Sequence, residues 1–335
     1  MSNLKAVLVG CGGISKAWMD PVRHRQDVEI VGLVDLVRTS AEKRAAEYGL
    51  TGAVVDTDLA AVLRRVRPDV VFDCTLPEAH VKVATLALRT GCHVLGEKPL
   101  ADTMAHANRI VAAAGKAGKT HAVMQNRRYL PNMIALKAFL GSGAIGRLTT
   151  VHCDFFIGAH FGGFRDRMEH VLLLDMAIHT FDQARCLTGQ DALTALAHEW
   201  NPPGSWYDHD ASAVAVFEMT HDVLFCYRGS WCAEGLMTPW EATWRLIGDK
   251  GSVLWAGDPH ATQCIARAGA LAGVFEDYPH FTFRPVAALL IAAWTMARLL
   301  KLSVHTVCGV RSCCRQVNMS SRHPAWPFNS GTSRL

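Results

Sequence analysis

A glycine-rich turn near the start of the chain constrains the fold more than any other feature. The apolar run at residues 5–9 ends in this turn, and Lys16-Ala-Trp follows as the opening of a helix. The order predicts a strand, a tight turn and a helix, so that backbone N–H groups can approach a pyrophosphate at the helix N-terminus. A tight turn alone also favours glycine, so the interpretation depends on the chain that follows. The candidate binding residues in the turn are Gly10, Gly12, Gly13 and Ile14.

A carboxylate follows at the spacing expected for a ribose ligand. The second apolar run, residues 29–35, ends in Asp35, roughly 20 residues after the glycine turn. A carboxylate there accepts hydrogen bonds from the adenosine ribose and repels a 2′-phosphate, which favours NAD over NADP. NADP stays open as the alternative, because Arg38 lies close enough in sequence to turn toward a phosphate.

Strand and helix patterns then alternate along the first third of the chain. We predict strands at 53–55, 69–74, 92–96 and 122–126, and helices over 58–67 and 79–90. The alternation predicts an α/β fold with a doubly wound parallel sheet, in which ligands collect beyond the carboxyl ends of the strands. Thr75-Leu76-Pro77 and Glu97-Lys98 occupy two such ends and should face the cofactor. The nucleotide-binding domain is predicted to span residues 1–125.

The pattern becomes β-rich from about residue 147. Predicted strands cover 148–156, 193–200, 213–219, 223–229 and 241–247, with a hairpin turn at 248–251. These strands should form one open antiparallel sheet in an α+β domain over residues 126–284. If the far face of the sheet is uncovered, it should drive formation of a homo-oligomer, either a dimer or a tetramer.

The segment 172–182 is predicted to be an apolar helix with three ionisable groups. Residues three and four apart share a helical face, so the Asp175 carboxylate can orient the His179 imidazole while Asp182 lies one turn further on. A histidine held in this way can move a proton near neutral pH. The alternative is an ordinary amphipathic helix with its acidic residues in solvent.

Aromatic and polar residues of the second domain fit a sugar or cyclitol. Such a substrate needs aromatic faces for its C–H surface and polar groups for its hydroxyls. Packing of the sheet is the alternative role for most of the tryptophans. The residues concerned are Phe161, Phe164, Trp200, Trp206, Tyr207 and Trp231, with His160, Arg165 and His209.

Length and composition narrow the class of protein. A chain of 335 residues exceeds what a single core usually supports, so two domains are expected. Eleven cysteines without a Cys-x-x-Cys pair indicate reduced thiols in a cytoplasmic enzyme, and no metal site is expected. We see no export signal, no apolar run of about 20 residues and no basic patch joined to a nucleic-acid motif. We therefore expect neither a membrane nor nucleic acid as a partner.

Four separated motifs, read together, carry a family resemblance. They are Gly10-Cys-Gly-Gly-Ile-Ser15, Thr75-Leu-Pro-Glu-Ala-His80, Gly96-Glu-Lys-Pro-Leu100 and Asp175-Met-Ala-Ile-His179. In order and spacing they resemble the Gfo/Idh/MocA family of nicotinamide-dependent oxidoreductases, over about residues 5 to 255. The resemblance implies an N-terminal Rossmann domain and a C-terminal α+β domain with an open antiparallel sheet.

The resemblance also implies roles for individual residues. Lys98 would approach nicotinamide and substrate, Asp175 would position the substrate, and His179 would be the acid/base. Asn126 and Arg128 would lie at the cleft between the domains as substrate-binding candidates, although a surface position is the alternative for the arginine. The residues implied to bind the cofactor outside the glycine turn are Asp35, Thr75, Leu76, Pro77, His80, Glu97 and Lys98.

The preferred function is hydride transfer between NAD(P) and a CH–OH group of a sugar, cyclitol or related polyol. Oxidising an alcohol also requires a base near the hydroxyl proton, and His179 can serve as that base. One alternative is a glycosidase that uses bound NAD for transient oxidation and shows no net NADH. The other is a non-enzymatic sugar- or cofactor-sensing regulator on the same scaffold.

Residues 285–335 differ from the rest of the chain. No Asp or Glu follows Asp277, whereas arginine and lysine recur, and the apolar residues show no sustained period. Our hypothesis is that this tail is divergent or read in an altered frame. Resequencing the coding region around codon 280 checks it, and one intact frame that encodes the same residues would contradict the altered frame.

Overall fold

Two sheets organise the part of the chain that the structure describes. The computed structural model describes residues 3–257 and the backbone of two further strands, Thr262–Ala266 and Ala272–Val274. Within these residues, no helix has the length and apolar character needed to cross a membrane. The atypical tail predicted at 285–335 lies outside the described residues.

The first sheet has six parallel strands, in the order β3-β2-β1-β4-β5-β6. The strands are β1 (Leu4–Val9), β2 (Val28–Val34), β3 (Val54–Asp56), β4 (Val70–Asp73), β5 (His93–Gly96) and β6 (His121–Val123). The helices between them are α1 (Ser15–Val22), α2 (Arg38–Glu47), α3 (Leu59–Val66), α4 (Pro77–Arg89) and α5 (Met104–Ala117). The predicted doubly wound sheet is confirmed, and its strand order reverses between β1 and β4, where such sheets hold their ligands.

Helix α5 was not among the predicted elements. It begins after Thr103, whose Oγ1 accepts a hydrogen bond from the His106 N–H at 3.2 Å, and it ends at Gly118 in the left-handed conformation. Its buried face consists of two alanines and one isoleucine. Because alanines give a weak apolar period, the sequence pattern marked this helix poorly.

The second sheet has eight strands, in the order β14-β13-β12-β11-β7-β10-β9-β8. They are β7 (Leu148–Phe156), β8 (Ala192–Trp200), β9 (Ser212–Met219), β10 (Val223–Ser230), β11 (Thr243–Gly248), β12 (Gly251–Trp255), β13 (Thr262–Ala266) and β14 (Ala272–Val274). The prediction of a purely antiparallel sheet is wrong at one pair, because β10 runs parallel to β7. The chain between these two strands contains a helix and two more strands, which supplies the long crossover that a parallel pair requires.

Two helices lie over the inner face of the second sheet, α6 (Pro131–Gly141) and α7 (Ile178–Thr188). Phe181 of α7 meets Phe217 and Tyr227 edge-on, with ring centroids 4.9 and 5.2 Å apart. All three rings are buried in the same apolar cluster. This packing fixes α7 on the sheet, and the chain before α7 then reaches toward the first domain.

Candidate active site

The glycine turn brings two strand ends together and leaves open backbone beside them. Gly10 has a φ of +86°, and a Cβ added to it would lie 2.6 Å from the carbonyl oxygen of Cys74 after β4. Only glycine permits this approach. At Gly12 and Gly13, by contrast, an added Cβ would meet no atom within 4 Å, and both residues are exposed. The turn therefore presents free backbone at the N-terminus of α1.

Asp35, at the end of β2, is fixed beside this turn. Its Oδ2 accepts a hydrogen bond from the Cys11 N–H at 2.7 Å, and its Oδ1 accepts one from the Val37 N–H at 2.8 Å. A carboxylate has about four acceptor positions, so these bonds leave capacity for a ribose hydroxyl. Arg38, the residue that could favour NADP, forms an exposed ion pair with Glu42, with Nε 2.9 Å from Oε1.

The two segments after β4 and β5 are tied to their surroundings by carboxylates. Thr75 donates through Oγ1 to Asp73 Oδ1 at 2.5 Å. Trp18 of α1 donates through Nε1 to Glu97 Oε1 at 2.7 Å. These bonds hold both segments at the edge of the sheet where the glycine turn lies. Glu97 thus anchors the segment that carries Lys98.

His80 lies behind these segments. It is 2 % exposed, with Nδ1 2.8 Å from the carbonyl oxygen of Pro99 and Nε2 3.1 Å from that of Thr75. The imidazole therefore bridges the segment after β4 and the segment after β5. The structure thus gives His80 two backbone contacts, and the cofactor-binding role that the resemblance implied for it stays a prediction.

This edge of the sheet fits a dinucleotide. The glycine turn offers unhindered N–H groups at a helix N-terminus, which suits a pyrophosphate. Two apolar side chains, Ile14 and Leu76, are 50 % and 54 % exposed at the same edge, and they provide surface for the flat faces of a bound ring. Pro77 opens α4 next to Leu76. Together with Asp35, these residues match the donors, acceptor and apolar surface that NAD requires.

The Asp175 carboxylate joins the two domains. Lys98 donates through Nζ to Asp175 Oδ1 at 2.7 Å and to the Asp175 carbonyl oxygen at 2.8 Å. Arg165 donates through Nε to Oδ2 at 2.7 Å. Burial alone would raise the pKa of the Asp175 carboxyl, but the two cations outweigh burial and lower that pKa. Asp175 is therefore an ionised carboxylate with a cation on each oxygen.

The expected contact between Asp175 and His179 is absent, and this correction has a local cause. Residues Leu172–Ala177 form a π-helical turn, and α7 begins only at Ile178. Hydrogen bonds in a π-helix run from residue i to i+5, so its turn is wider than an α-helical turn. Asp175 consequently faces Lys98 and Arg165 instead of lying over the imidazole four residues later.

His179 is buried and neutral. It is 6 % exposed, and its Nδ1 has no hydrogen-bond partner among the described residues. Burial lowers the pKa of the imidazole well below 6.5, and the charges of Lys98 and Arg127 lower it further. The influence of Lys98 places the amine and the imidazole in the same region of the cleft. A neutral imidazole has one ring nitrogen that can accept a proton.

Arg127 and Glu241 are site residues that the sequence did not indicate. The Arg127 guanidinium lies 3.2 Å from Glu241 Oε2 and donates to the carbonyl oxygen of Trp240. Burial lowers the pKa of Arg127, and burial raises the pKa of Glu241 against the opposing effect of the arginine. No local spacing links residues so distant in the chain, so only the fold brings Arg127 and Glu241 together.

The two other substrate candidates have different surroundings. Arg128 forms a two-point ion pair with Asp182 of α7, in which Nε lies 2.7 Å from Oδ2. This pair fastens the turn Asn126–Tyr129 to α7 and assigns Asp182 a partner. Asn126 is exposed at the start of the same turn. Their part in substrate binding stays a prediction.

Four of the six aromatic residues predicted to contact a polyol divide into two groups, while Trp231 is buried and Trp200 is 39 % exposed. Phe161 and Phe164 are 51 % and 39 % exposed and lie against the Arg165 guanidinium. Trp206 and Tyr207 instead both donate hydrogen bonds to the Ala159 carbonyl oxygen, at 3.0 and 2.7 Å. The first group is open to a ligand, whereas the second supports the chain after β7.

Among residues 3–257, no group of three or more His, Cys, Asp and Glu residues is placed to hold a metal ion. The cationic groups of the cleft are Lys98, Arg127 and Arg165, which bind anions and polar oxygens. The chemistry that this arrangement supports is therefore proton transfer and stabilisation of negative charge on oxygen.

The buried neutral imidazole predicts a pH-dependent stability. Below about pH 6.5 the unfolded chain binds a proton at residue 179 that the folded chain does not, so protonation favours unfolding. Stability should rise with pH through this window and level off above it. Each such imidazole contributes a slope of roughly 1.4 kcal/mol per pH unit. Urea unfolding of His179→Gln between about pH 5.5 and 6.5, where the unfolded imidazole is roughly half to nine-tenths protonated, should show a slope below that of wild type by roughly those fractions of this limiting value.

His121 is also buried, and burial lowers the pKa of its imidazole to about 3. It adds to the pH dependence of stability in the same direction, and it does so in both wild type and His179→Gln. The control is His24→Gln, which changes an exposed imidazole. It should leave the slope at the wild-type value. Equal slopes for wild type and His179→Gln would contradict the placement of His179.

Comparisons with known proteins agree with this architecture. The profile described as "Oxidoreductase family, NAD-binding Rossmann fold" matches residues 4–125, and that of the GFO/IDH/MocA C-terminal domain matches residues 133–254. Inositol 2-dehydrogenase of Streptomyces avermitilis is 35 % identical over 292 residues, which cover 83 % of this chain and 80 % of that protein. D-glucoside 3-dehydrogenase of Escherichia coli is 30 % identical over 211 residues, 61 % of this chain and 60 % of that protein.

A solved structure shares the fold at low sequence identity. It is an oxidoreductase from Agrobacterium radiobacter in complex with NAD+, L-tartaric acid and magnesium. The TM-score is 0.79 at 19 % identity, with 90 % of each chain covered. The two profile matches cover most of the described residues, and their order follows that of the two sheets. The chain belongs to the Gfo/Idh/MocA family of oxidoreductases, with an N-terminal NAD-binding Rossmann domain.

Proposed function

We propose that the protein transfers a hydride between NAD and a CH–OH group of a sugar, cyclitol or related polyol. The observation that carries the proposal is the Lys98 amine held 2.7 Å from the buried Asp175 carboxylate, beside the neutral His179. The site lies at the edge of the sheet where the glycine turn is open. The relatives named inositol 2-dehydrogenase and D-glucoside 3-dehydrogenase support this substrate class.

The side chains divide the proton chemistry between them. Bound nicotinamide supplies the hydride acceptor or donor. His179 takes the hydroxyl proton, because its imidazole is neutral. Lys98 donates a hydrogen bond to the reacting oxygen and stabilises the negative charge that develops there. Asp175 holds the amine in place.

The turn after β2 favours NAD over NADP. Asp35 is positioned by two backbone N–H groups, and its negative charge opposes a 2′-phosphate. Arg38 is engaged with Glu42 on the surface. We therefore propose NAD as the working cofactor, with Gly12, Gly13 and Asp35 as its ligands in the turn.

A panel of sugars and polyols assayed with NAD and with NADP tests the proposal. We expect NADH formation with at least one member, and a kcat/KM with NAD at least tenfold above that with NADP. Removing the base or the amine should lower kcat by about 100-fold or more, because general acid–base catalysis contributes 10²–10⁴-fold. The variants are His179→Ala and Lys98→Met.

Exposed Lys116, in the last turn of α5, provides a control, since Lys116→Met removes an amine outside the cleft and should leave kcat unchanged. Undiminished activity in both His179→Ala and Lys98→Met would contradict the proposed roles. Bond cleavage in a glycoside without net NADH would favour the transient-oxidation glycosidase. Binding of NAD with no turnover of any compound would favour the sensing protein.

We further propose a homo-oligomer in the cytoplasm, where the described cysteines, which are all free thiols, stay reduced. The outer face of the second sheet carries exposed apolar residues on adjacent strands, among them Leu196, Val216 and Leu224. A second copy of the chain presents the same apolar face and would cover it.

Light scattering on the purified protein checks the oligomer, and a dimer or tetramer is expected. Leu196→Glu with Val216→Lys places charges on this face and should shift the mass toward the monomer. The control, Leu36→Glu, changes an apolar residue of the first domain that is also exposed. A monomeric wild-type protein would contradict the proposal.

A further inference from the structure

Arg165 is held rigidly next to the proposed catalytic amine. It lies in the turn Arg165–Arg167, between β7 and the π-helical turn. Its Nε and Nη2 donate to Asp175 at 2.7 and 3.4 Å. Its Cζ lies 5.1 Å from the ring centroid of Phe161 and 4.8 Å from that of Phe164. A guanidinium bound by a carboxylate and two aromatic rings has little freedom to reorient.

The guanidinium has donors to spare. A guanidinium carries five N–H groups, and Asp175 uses Nε and one side of Nη2. No hydrogen bond joins Nη1 to any residue among those that the structure describes, and the Arg165 side chain is 30 % exposed. Arginine forks of this kind match the geometry of a carboxylate. Arg165 thus presents a preorganised donor to the cleft.

Two cationic groups of the cleft share one carboxylate as their ion-pair partner. Lys98 and Arg165 share the single carboxylate of Asp175, and Arg127 is paired with Glu241. His179 is neutral and adds no charge of its own. A carboxylate shared between two cations leaves N–H donors of both unsatisfied, and an anionic oxygen accepts from them more strongly than a neutral hydroxyl does.

We propose that the substrate is a sugar acid, a polyhydroxy compound with a carboxylate of the aldonate or uronate type, and that Arg165 binds this carboxylate. The inference rests on the proposed function, because Lys98 and His179 act on a hydroxyl of the same molecule. Lys98 Nζ and Arg165 Nη2 both donate to Asp175 Oδ1. The carboxylate therefore belongs a few bonds from the reacting carbon.

Matched pairs of acid and neutral compounds test the inference. The pairs are D-gluconate with D-glucitol, D-glucuronate with D-glucose, and D-galacturonate with D-galactose, each assayed for kcat/KM with NAD. The wild-type protein should prefer the acid in at least one pair by tenfold or more. Arg165→Gln loosens Asp175 and lowers both values, but it should lower the value for the acid by roughly a further 10- to 100-fold, since a hydrogen bond to a charged group contributes about 1.5–3 kcal/mol.

Two further variants separate charge from geometry. Arg167→Gln removes the same charge from an exposed residue of the same turn and should leave the acid-to-neutral ratio unchanged. Arg165→Lys keeps the charge without the fork and should retain only part of the preference. If thermal unfolding reveals that Arg165→Gln does not fold, Arg165→Lys takes its place in the test.

Calorimetric titration of the NAD-loaded protein with D-gluconate, D-glucuronate and D-galacturonate measures binding apart from turnover. Binding that needs Arg165, without NADH from any compound, would remove the proposed hydride transfer and leave the carboxylate site standing. Oxidation of neutral compounds with an acid-to-neutral ratio that Arg165→Gln does not alter would overturn the carboxylate site and leave the dehydrogenase standing. Neither turnover nor Arg165-dependent binding would remove both.

Discussion

The Asp175 carboxylate is the contact on which the cleft depends. It accepts from Lys98 of the first domain and from Arg165 of the second, so one side chain joins the two domains electrostatically. Removing one partner from a buried ion pair typically costs about 3–5 kcal/mol, because the remaining charge is left uncompensated. Without this carboxylate two cations would repel each other across the cleft. The Asp175 carboxylate therefore fixes both the position of the Lys98 amine and the contact between the two domains.

The charges that hold the cleft together also set the state of the imidazole. Burial and the positive charges of Lys98 and Arg127 keep His179 unprotonated, which is the form that a base needs. A carboxylate next to the imidazole would raise the pKa of His179 and favour its protonated form. The π-helical turn Leu172–Ala177 prevents that by directing Asp175 away. Backbone geometry, rather than the choice of residue types alone, thus decides which group Asp175 serves.

Local patterns predicted the first domain well, because parallel strands and covering helices leave a regular apolar period along the chain. They also gave Lys98, Asp175 and His179 as candidates, since their motifs are short and contiguous, and the structure pairs Lys98 with Asp175. The patterns failed where distant segments meet. The parallel pairing of β7 with β10 depends on a crossover, and the ion pair of Arg127 with Glu241 depends on the whole fold. The assumption of a regular α-helix likewise hid the true partner of Asp175.

His80 links the peptide carbonyls of Thr75 and Pro99 through one rigid ring. The segment that borders the cofactor edge and the segment that carries the amine therefore share a support, and a shift in one displaces the other. Substitutions in these two stretches are then expected to be interdependent, so that a change tolerated in one background becomes harmful in another. Evolution of this cleft would consequently proceed by paired exchanges rather than by independent single steps.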